Sequence, residues 1–265
     1  MKKIFIPACF VLLCFIMILV VLRLSPVGDP RLPSYSGYLD PKTPVEEIVQ
    51  KGQSVALYYN KNAVSDVNSM NVVSAMILDY RAYDTLYESV IFFTAIMCIL
   101  SVFTFGSGKE FILEKDWEPS ISVMDITRRM VPFILMFGIY IILSGHLSAG
   151  GGFQGGVVIG AGFIIYTIVF GLEKARRYAP EDILKILNSL GMCIFVSFGF
   201  LGIIAGYTFL ANRTAGIPPI GQPGVLLSAG TLLGINIGIG MNVSGAIIRI
   251  FYSFQENMEG EKSNV

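Results

Sequence analysis

The chain has 265 residues, 54% of them hydrophobic and only 14% charged, and its formal net charge at neutral pH is zero. A soluble domain usually carries about 25% charge, so composition argues against a water-soluble globule, and the absence of a basic stripe argues against nucleic acid as a partner. Successive apolar runs are each long enough to cross a lipid bilayer as a helix. Strand-like alternation is absent, and spanning backbone must pair with itself. The expected fold is therefore all-α: a polytopic integral membrane protein with about six transmembrane helices.

In chain order, the first span is expected at about 4–22, behind Lys2 and Lys3. It exceeds a usual leader core and lacks a small-x-small exit, so it reads as a retained span. A polar linker runs from Arg23 to about Val67. The second span is expected at about 85–105, followed by the charged loop GSGKEFILEKDWEPS. The third falls at about 130–144, where Pro132 suits a first helical turn, and the fourth at about 153–171. The fifth and sixth are expected at about 186–210 and 224–248. The division falls near residue 115: residues 1–115 hold two spans and a linker, and residues 116–265 a four-helix membrane domain.

Basic residues set the expected orientation. Lys2, Lys3, Lys109, Lys115, Arg128, Arg129, Lys174, Arg176, Arg177 and Lys185 all fall on one side of a six-span arrangement. That side is cytoplasmic by the positive-inside rule, which puts both termini in the cytoplasm. The linker and the loops at 145–152 and 211–223 then face outward.

Cys9, Cys14, Cys98 and Cys193 lie in apolar runs without a CxxC pair. They read as packing residues, and neither a cofactor nor a tightly bound metal is expected. Gly150-x-Gly152-x-x-Gly155 matches the letters of a dinucleotide fingerprint, but no strand precedes it and no βαβ unit surrounds it. Gly152, Gly156 and Gly160 instead recur every fourth residue, as do Gly230, Gly234 and Gly238 in the sixth span. Such small-residue faces let another helix approach closely. Asn236 and Asn242 are expected to hydrogen-bond a neighbouring helix.

The stretch ILDYRAYDTLYESVIFF, residues 77–93, places Asp79, Arg81, Asp84 and Glu88 among residues suited to lipid. A charge at mid-bilayer costs about 2.5–3.5 kcal/mol on insertion scales. Two geometries are open. A continuous helix gathers Arg81, Asp84 and Glu88 within roughly 60° of one another and sends Asp79 to the far side. A broken one uses Thr85-Leu-Tyr-Glu88 as a capping box, starts the span at Leu86 and leaves residues 68–78 as a short separate helix. The break is preferred. The acids then lie in the outer half of the membrane, either carrying ions or only capping a helix and fixing a subunit contact. His146, the only histidine, sits at the outer end of the third span. It reads either as a proton relay or as a turn residue bonded to exposed carbonyls.

The stretch NVVSAMILDYRAYDTLYESVIFFTAI resembles the MbhE-like region, which ends the large subunit of Mrp-type cation/proton antiporters and is a separate small subunit in membrane-bound hydrogenases. RRMVPFILMFGIYIILSGHLSAGGGFQGGVVIGAGFIIY resembles the MnhB subunit of the same antiporters; Gly145, His146 and the Gly150–Gly156 run carry the likeness. The two resemblances cover about residues 68–250. They imply an accessory subunit of a multisubunit Na+/H+ antiporter in a prokaryotic cell membrane, with other subunits as partners. Asp84 and Glu88 would line a Na+ or H+ path, Arg81 would lower their pKa values, and Asp79 belongs to the same motif. The alternative is the same module in a membrane-bound hydrogenase or related ferredoxin-linked complex. A scaffold without an ion path is the third possibility.

Overall fold

The computed structural model describes residues 55–105, 119–205, 209–211 and 222–260. The expected first span and most of the linker lie outside the described residues. The contacts given below fall within the compact unit Tyr59–Val265.

Helix α1, Val55–Asn62, runs into a π-helical turn, Ala63–Val67. A short helix α2, Val72–Ala75, then leads into a second π-helical turn, Met76–Tyr80. The long helices are α3 (Ala82–Phe105), α4 (Ile121–Leu143), α5 (Gly152–Phe170), α7 (Glu181–Ile204) and α8 (Leu232–Gly260), with a short α6 (Leu172–Tyr178) between α5 and α7. Five helices among the described residues are long and apolar enough to cross a membrane.

Helix α8 is the centre of the bundle. It packs along both α5 and α7, α4 packs on α5, and α3 touches α8. Within the most apolar window, 61% of α8 is buried but only 17% of α3. The reason lies in the glycines. With lipid as the alternative to contact, helix pairing depends on close packing rather than on hydrophobic expulsion from water. Gly152, Gly156 and Gly160 of α5 lie against α8: added Cβ atoms would come within 2.7 Å of Ile239 Cβ, 2.8 Å of Val243 Cβ and 2.8 Å of Ile247 Cγ2. On the α7 side, a Cβ at Gly238 would sit 2.7 Å from the Gly191 carbonyl oxygen, and one at Gly234 would strike the Phe198 ring. Between these contacts Asn188 Nδ2 donates to the Asn242 carbonyl (3.1 Å) and to its Oδ1 (3.2 Å), with both residues buried.

Several boundaries differ from expectation. Helix α4 begins at Ile121, its Ser120 N-cap accepting from the Val123 amide. Pro132 is therefore inside the helix rather than in its first turn. Helix α8 begins at Leu232, later than its apolar run, because Ala229 (φ 60°) and Gly230 (φ 56°) form a left-handed turn. Gly230 thus ends a loop and takes no part in the helix face assigned to it.

The other end of the bundle is tied by charge. Arg176 pairs with Glu181 (2.5 Å) and with Glu256 (3.0 Å), joining the α6–α7 corner to the end of α8. Its guanidinium also lies 6.0 Å from the centre of the buried Tyr252 ring.

Candidate functional site

The helix carrying the acids is broken, at a different residue from the one the capping box indicates. The Arg81 backbone (φ −127°, ψ 36°) interrupts the path, its amide donating five residues back to Met76. Helix α3 then starts at Ala82, so Thr85 lies inside it rather than at its cap. The wide π turn leaves the Ile77 carbonyl available, and the Thr85 hydroxyl donates to it across the break. A hydroxyl expected to hold the helix start instead fastens the two segments together.

This geometry separates the four charged residues. Arg81 and Asp84 form an exposed ion pair at 2.5 Å, with side chains 61% and 57% accessible. Pairs that open to solvent contribute at most about 1 kcal/mol. Glu88 is also exposed, one turn further into α3, and has no ion-pair partner among the described residues. Asp79 lies elsewhere, half-buried in the π turn and near Asp66. Burial raises its carboxyl from 3.8 to about 7, and the negative charge of Asp66 adds to the rise. The Tyr80 hydroxyl donates to Asp66 Oδ2 (3.0 Å), and the Tyr80 ring stacks on Tyr59 at 4.3 Å. Asp66 escaped the sequence reading because it falls in an unremarkable part of the polar linker.

Residues 69–71 fasten this arm to the glycine loop. The Asn71 side chain accepts from the Val73 and Ser74 amides, capping α2. Its Nδ2 donates to the carbonyls of Gly145 and Ser148, both at 2.8 Å. The Asn71 amide and the Ser69 hydroxyl both donate to the His146 carbonyl, at 3.1 and 2.8 Å. The loop itself is close-packed: a Cβ on Gly145 would lie 2.7 Å from Gly151 Cα. Across it, Asn236 of α8 accepts from the Gly152 amide at 2.9 Å. That bond supplies one of the open donors at the start of α5.

His146 is fully buried, not at an open surface. Neither ring nitrogen has a hydrogen-bond partner of normal geometry among the described residues. Burial lowers its pKa from 6.5, and the backbone of Val225 and Leu226 facing the ring only partly opposes this. The neutral imidazole is therefore favoured. Among the described residues no contact joins its ring to Asp79, Asp84 or Glu88, and no group of three His, Cys, Asp or Glu is arranged to hold a metal. A groove of about 380 Å³ beside α8 is largely apolar, lined by Ile142, Phe163, Leu184, Met241 and Ile248, with Tyr178 and Ser244 also on its wall.

The fold defines a polytopic α-helical membrane protein whose glycine-packed bundle carries a broken, acidic helical arm. Residues 122–249 match a family described as a domain related to the MnhB subunit of Na+/H+ antiporters. Protein MJ1307 of Methanocaldococcus jannaschii is 30% identical over 190 residues, covering 65% of this chain and 72% of that protein. The Staphylococcus aureus protein named antiporter subunit mnhB2 is 28% identical over 138 residues, covering 51% of this chain and 94% of the relative. The chain belongs to the MnhB-related family. Two solved structures share its fold. One is the Mrp complex from Dietzia sp. DQ12-45-1b, with a TM-score of 0.59 and 24% identity over 79% of this chain; the chain spans only 24% of the one it matches there. The other is the membrane-bound sulfane sulfur reductase, an archaeal respiratory membrane complex, with a TM-score of 0.59 and 23% identity over 96% of this chain and 98% of its counterpart.

Proposed function

We propose that the chain is an accessory membrane subunit of a multisubunit cation (Na+)/proton antiporter complex in a prokaryotic cell membrane, and that its acidic arm contributes to the ion path. The observation that carries this reading is the broken helix at Arg81. It sets Asp84 and Glu88 on an open face of α3 and keeps Asp79 behind the break with a raised pKa. A carboxyl that titrates near neutrality can take up and release protons under working conditions. Exposed carboxylates at the start of a span can draw a cation to it. The antiporter-subunit relative and the Mrp fold neighbour support the same assignment. Arg81, paired with Asp84, would tune the affinity of that face. His146, neutral and enclosed, serves as a proton acceptor or as a packing element under the loop. The division near residue 115 separates the acidic arm from the MnhB-type bundle. The partners are the other subunits, with Na+ and H+ as transported ions.

The test is the assembled complex in proteoliposomes carrying Asp84→Ala or Glu88→Ala. Both variants are expected to assemble and to lose most Na+-dependent proton exchange. Normal assembly with normal exchange in both would end the ion-path reading.

A second reading, the same subunit in a ferredoxin-linked respiratory complex or membrane-bound hydrogenase, is favoured by one observation: the end-to-end match to a chain of the archaeal respiratory complex. Affinity purification with subunit identification separates the two. A redox subunit among the co-purified chains favours the respiratory machine, and its absence favours the stand-alone antiporter.

A further inference from the structure

The apolar groove runs lengthwise along α8, where Ile237, Met241, Ser244 and Ile248 line it at helical spacing. Residues 237 to 248 cover about 16 Å of helix, close to half of a hydrocarbon core about 30 Å thick. Spread over that length, a volume of about 380 Å³ leaves a mean section of about 24 Å². Such a slot takes one extended hydrocarbon chain and is too narrow for a helix about 10 Å across. The Ser244 hydroxyl donates to the Met241 carbonyl at 3.3 Å, so it brings no unmet polar group to the wall.

One end of the groove is polar. Tyr178 lines it there, at the end of α6. The Tyr178 and Tyr166 ring centres are 5.5 Å apart, and Phe170 lies 4.6 Å from Tyr166. The Arg128 guanidinium lies 5.7 Å from the centre of the Phe170 ring. By helical period Arg128 shares a face of α4 with Ile139 and Ile142 of the groove wall. Lys174, four positions before Tyr178, shares an exposed face of α6 with it. Other bases at this end are engaged: Arg176 with Glu181 and Glu256, Lys185 with Asp182, Arg129 with Asp125, and Arg177 more loosely with Glu173. Arg128 and Lys174 are exposed and have no ion-pair partner among the described residues. An apolar slot about one leaflet long thus ends at two unpaired cations and a tyrosine, a residue type enriched at the membrane–water interface.

We propose that the groove binds one anionic phospholipid of the leaflet at this end, with an acyl chain in the slot and the phosphate held by Arg128 and Lys174 beside Tyr178. The inference goes beyond the subunit assignment and rests on the membrane bundle alone. Shape and charge complementarity together select the occupant. An apolar helix would leave both bases unpaired, and free phosphate would leave the slot empty. A zwitterionic lipid brings its own cation to the phosphate and gains less from two bases.

The experiment takes the full chain, affinity-purified with its co-purifying subunits, into phosphatidylcholine vesicles. These contain phosphatidylglycerol with a photoreactive group at the end of one acyl chain, and mass spectrometry locates the products after illumination. Labelling is expected to concentrate at the end of the groove far from Tyr178, around Ile142 and Ile237. Added unlabelled phosphatidylglycerol should compete it away, and added phosphatidylcholine should not. The double variant Arg128→Gln, Lys174→Gln should lower groove labelling about tenfold and leave labelling elsewhere on the chain unchanged. Even labelling of every exposed face, as ordinary boundary lipid gives, would overturn the proposal. So would equal competition by phosphatidylcholine, a groove left unlabelled because another subunit covers it, or unchanged groove labelling in the double variant. Should that variant fail to fold, the competition on the unaltered chain decides.

Discussion

Helices α8 and α3 are spans of similar character with opposite surroundings. Around α8 the asparagines turn into the bundle: Asn236 accepts from the Gly152 amide, and Asn242 accepts from Asn188. Along α3 most polar side chains are exposed; Ser89 is buried, and Thr85 is drawn back to the Ile77 carbonyl. Among the described residues, the Arg176 pairs link the α6–α7 corner to the end of α8. The arm leaves Glu88 exposed near the start of α3, without an ion-pair partner among the described residues. Internal polar pairing marks the element that organises this chain, and outward polar groups mark the element on which the proposed ion path rests.

Substitutions can break this contrast. The largest effect is expected where two backbones meet. Gly191→Leu would drive its Cβ into the Gly238 carbonyl oxygen and to 2.6 Å from the Asn242 amide. Overpacking against backbone costs about 3 kcal/mol or more, and the yield of monodisperse protein in detergent should collapse. Asn236→Ala comes next. It strips the Gly152 amide of its buried acceptor, with an expected loss of about 1–3 kcal/mol, read as a lower unfolding temperature. Both should exceed anything that substitutions on the exposed face of α3 produce.

Titration sharpens the contrast from the other side. Asp79 holds its proton more tightly folded than unfolded, with a pKa of about 7 against 3.8. Stability therefore falls as pH rises through that interval, and Asp79→Asn should flatten the decline measured between pH 5 and 7. His146 has the opposite sign. Its folded pKa lies below 6.5, so its contribution is complete above that value and is lost as pH falls below it. His146→Phe should remove the part of the acid-side decline that begins there. The smallest effect is expected from Arg81→Ala. It breaks an exposed pair, should cost at most about 1 kcal/mol, and should leave the unfolding temperature nearly unchanged.

Much of the bundle was legible because lipid imposes a simple code. Gly152, Gly156 and Gly160 could be recognised as a packing face from spacing alone, and α8 does lie along them. Hydropathy reports where lipid is, however, not where a helix ends. Helix α4 reaches back to Ile121 past Arg128 and Arg129, residues that an apolar window rejects. Residues 224–231 look like more span, yet the left-handed backbone at Ala229 and Gly230 turns them into a loop. The acids could be picked out as misfits, but not their distribution. That depends on a π turn which frees the Ile77 carbonyl for Thr85, and no local motif announces it. Asp66 and Asn188 were invisible for a related reason: each gains meaning only from a residue distant in sequence.

The bond from Gly152 to Asn236 joins positions 84 residues apart, and the ribosome makes the acceptor long after the donor. Until α8 is synthesised and inserted, α5 waits in the translocation machinery or the lipid with that amide still lacking its final partner. The closing helix of the bundle thus also completes an earlier one. A nascent chain stalled before residue 236 should hold α4 and α5 in the membrane without their native register.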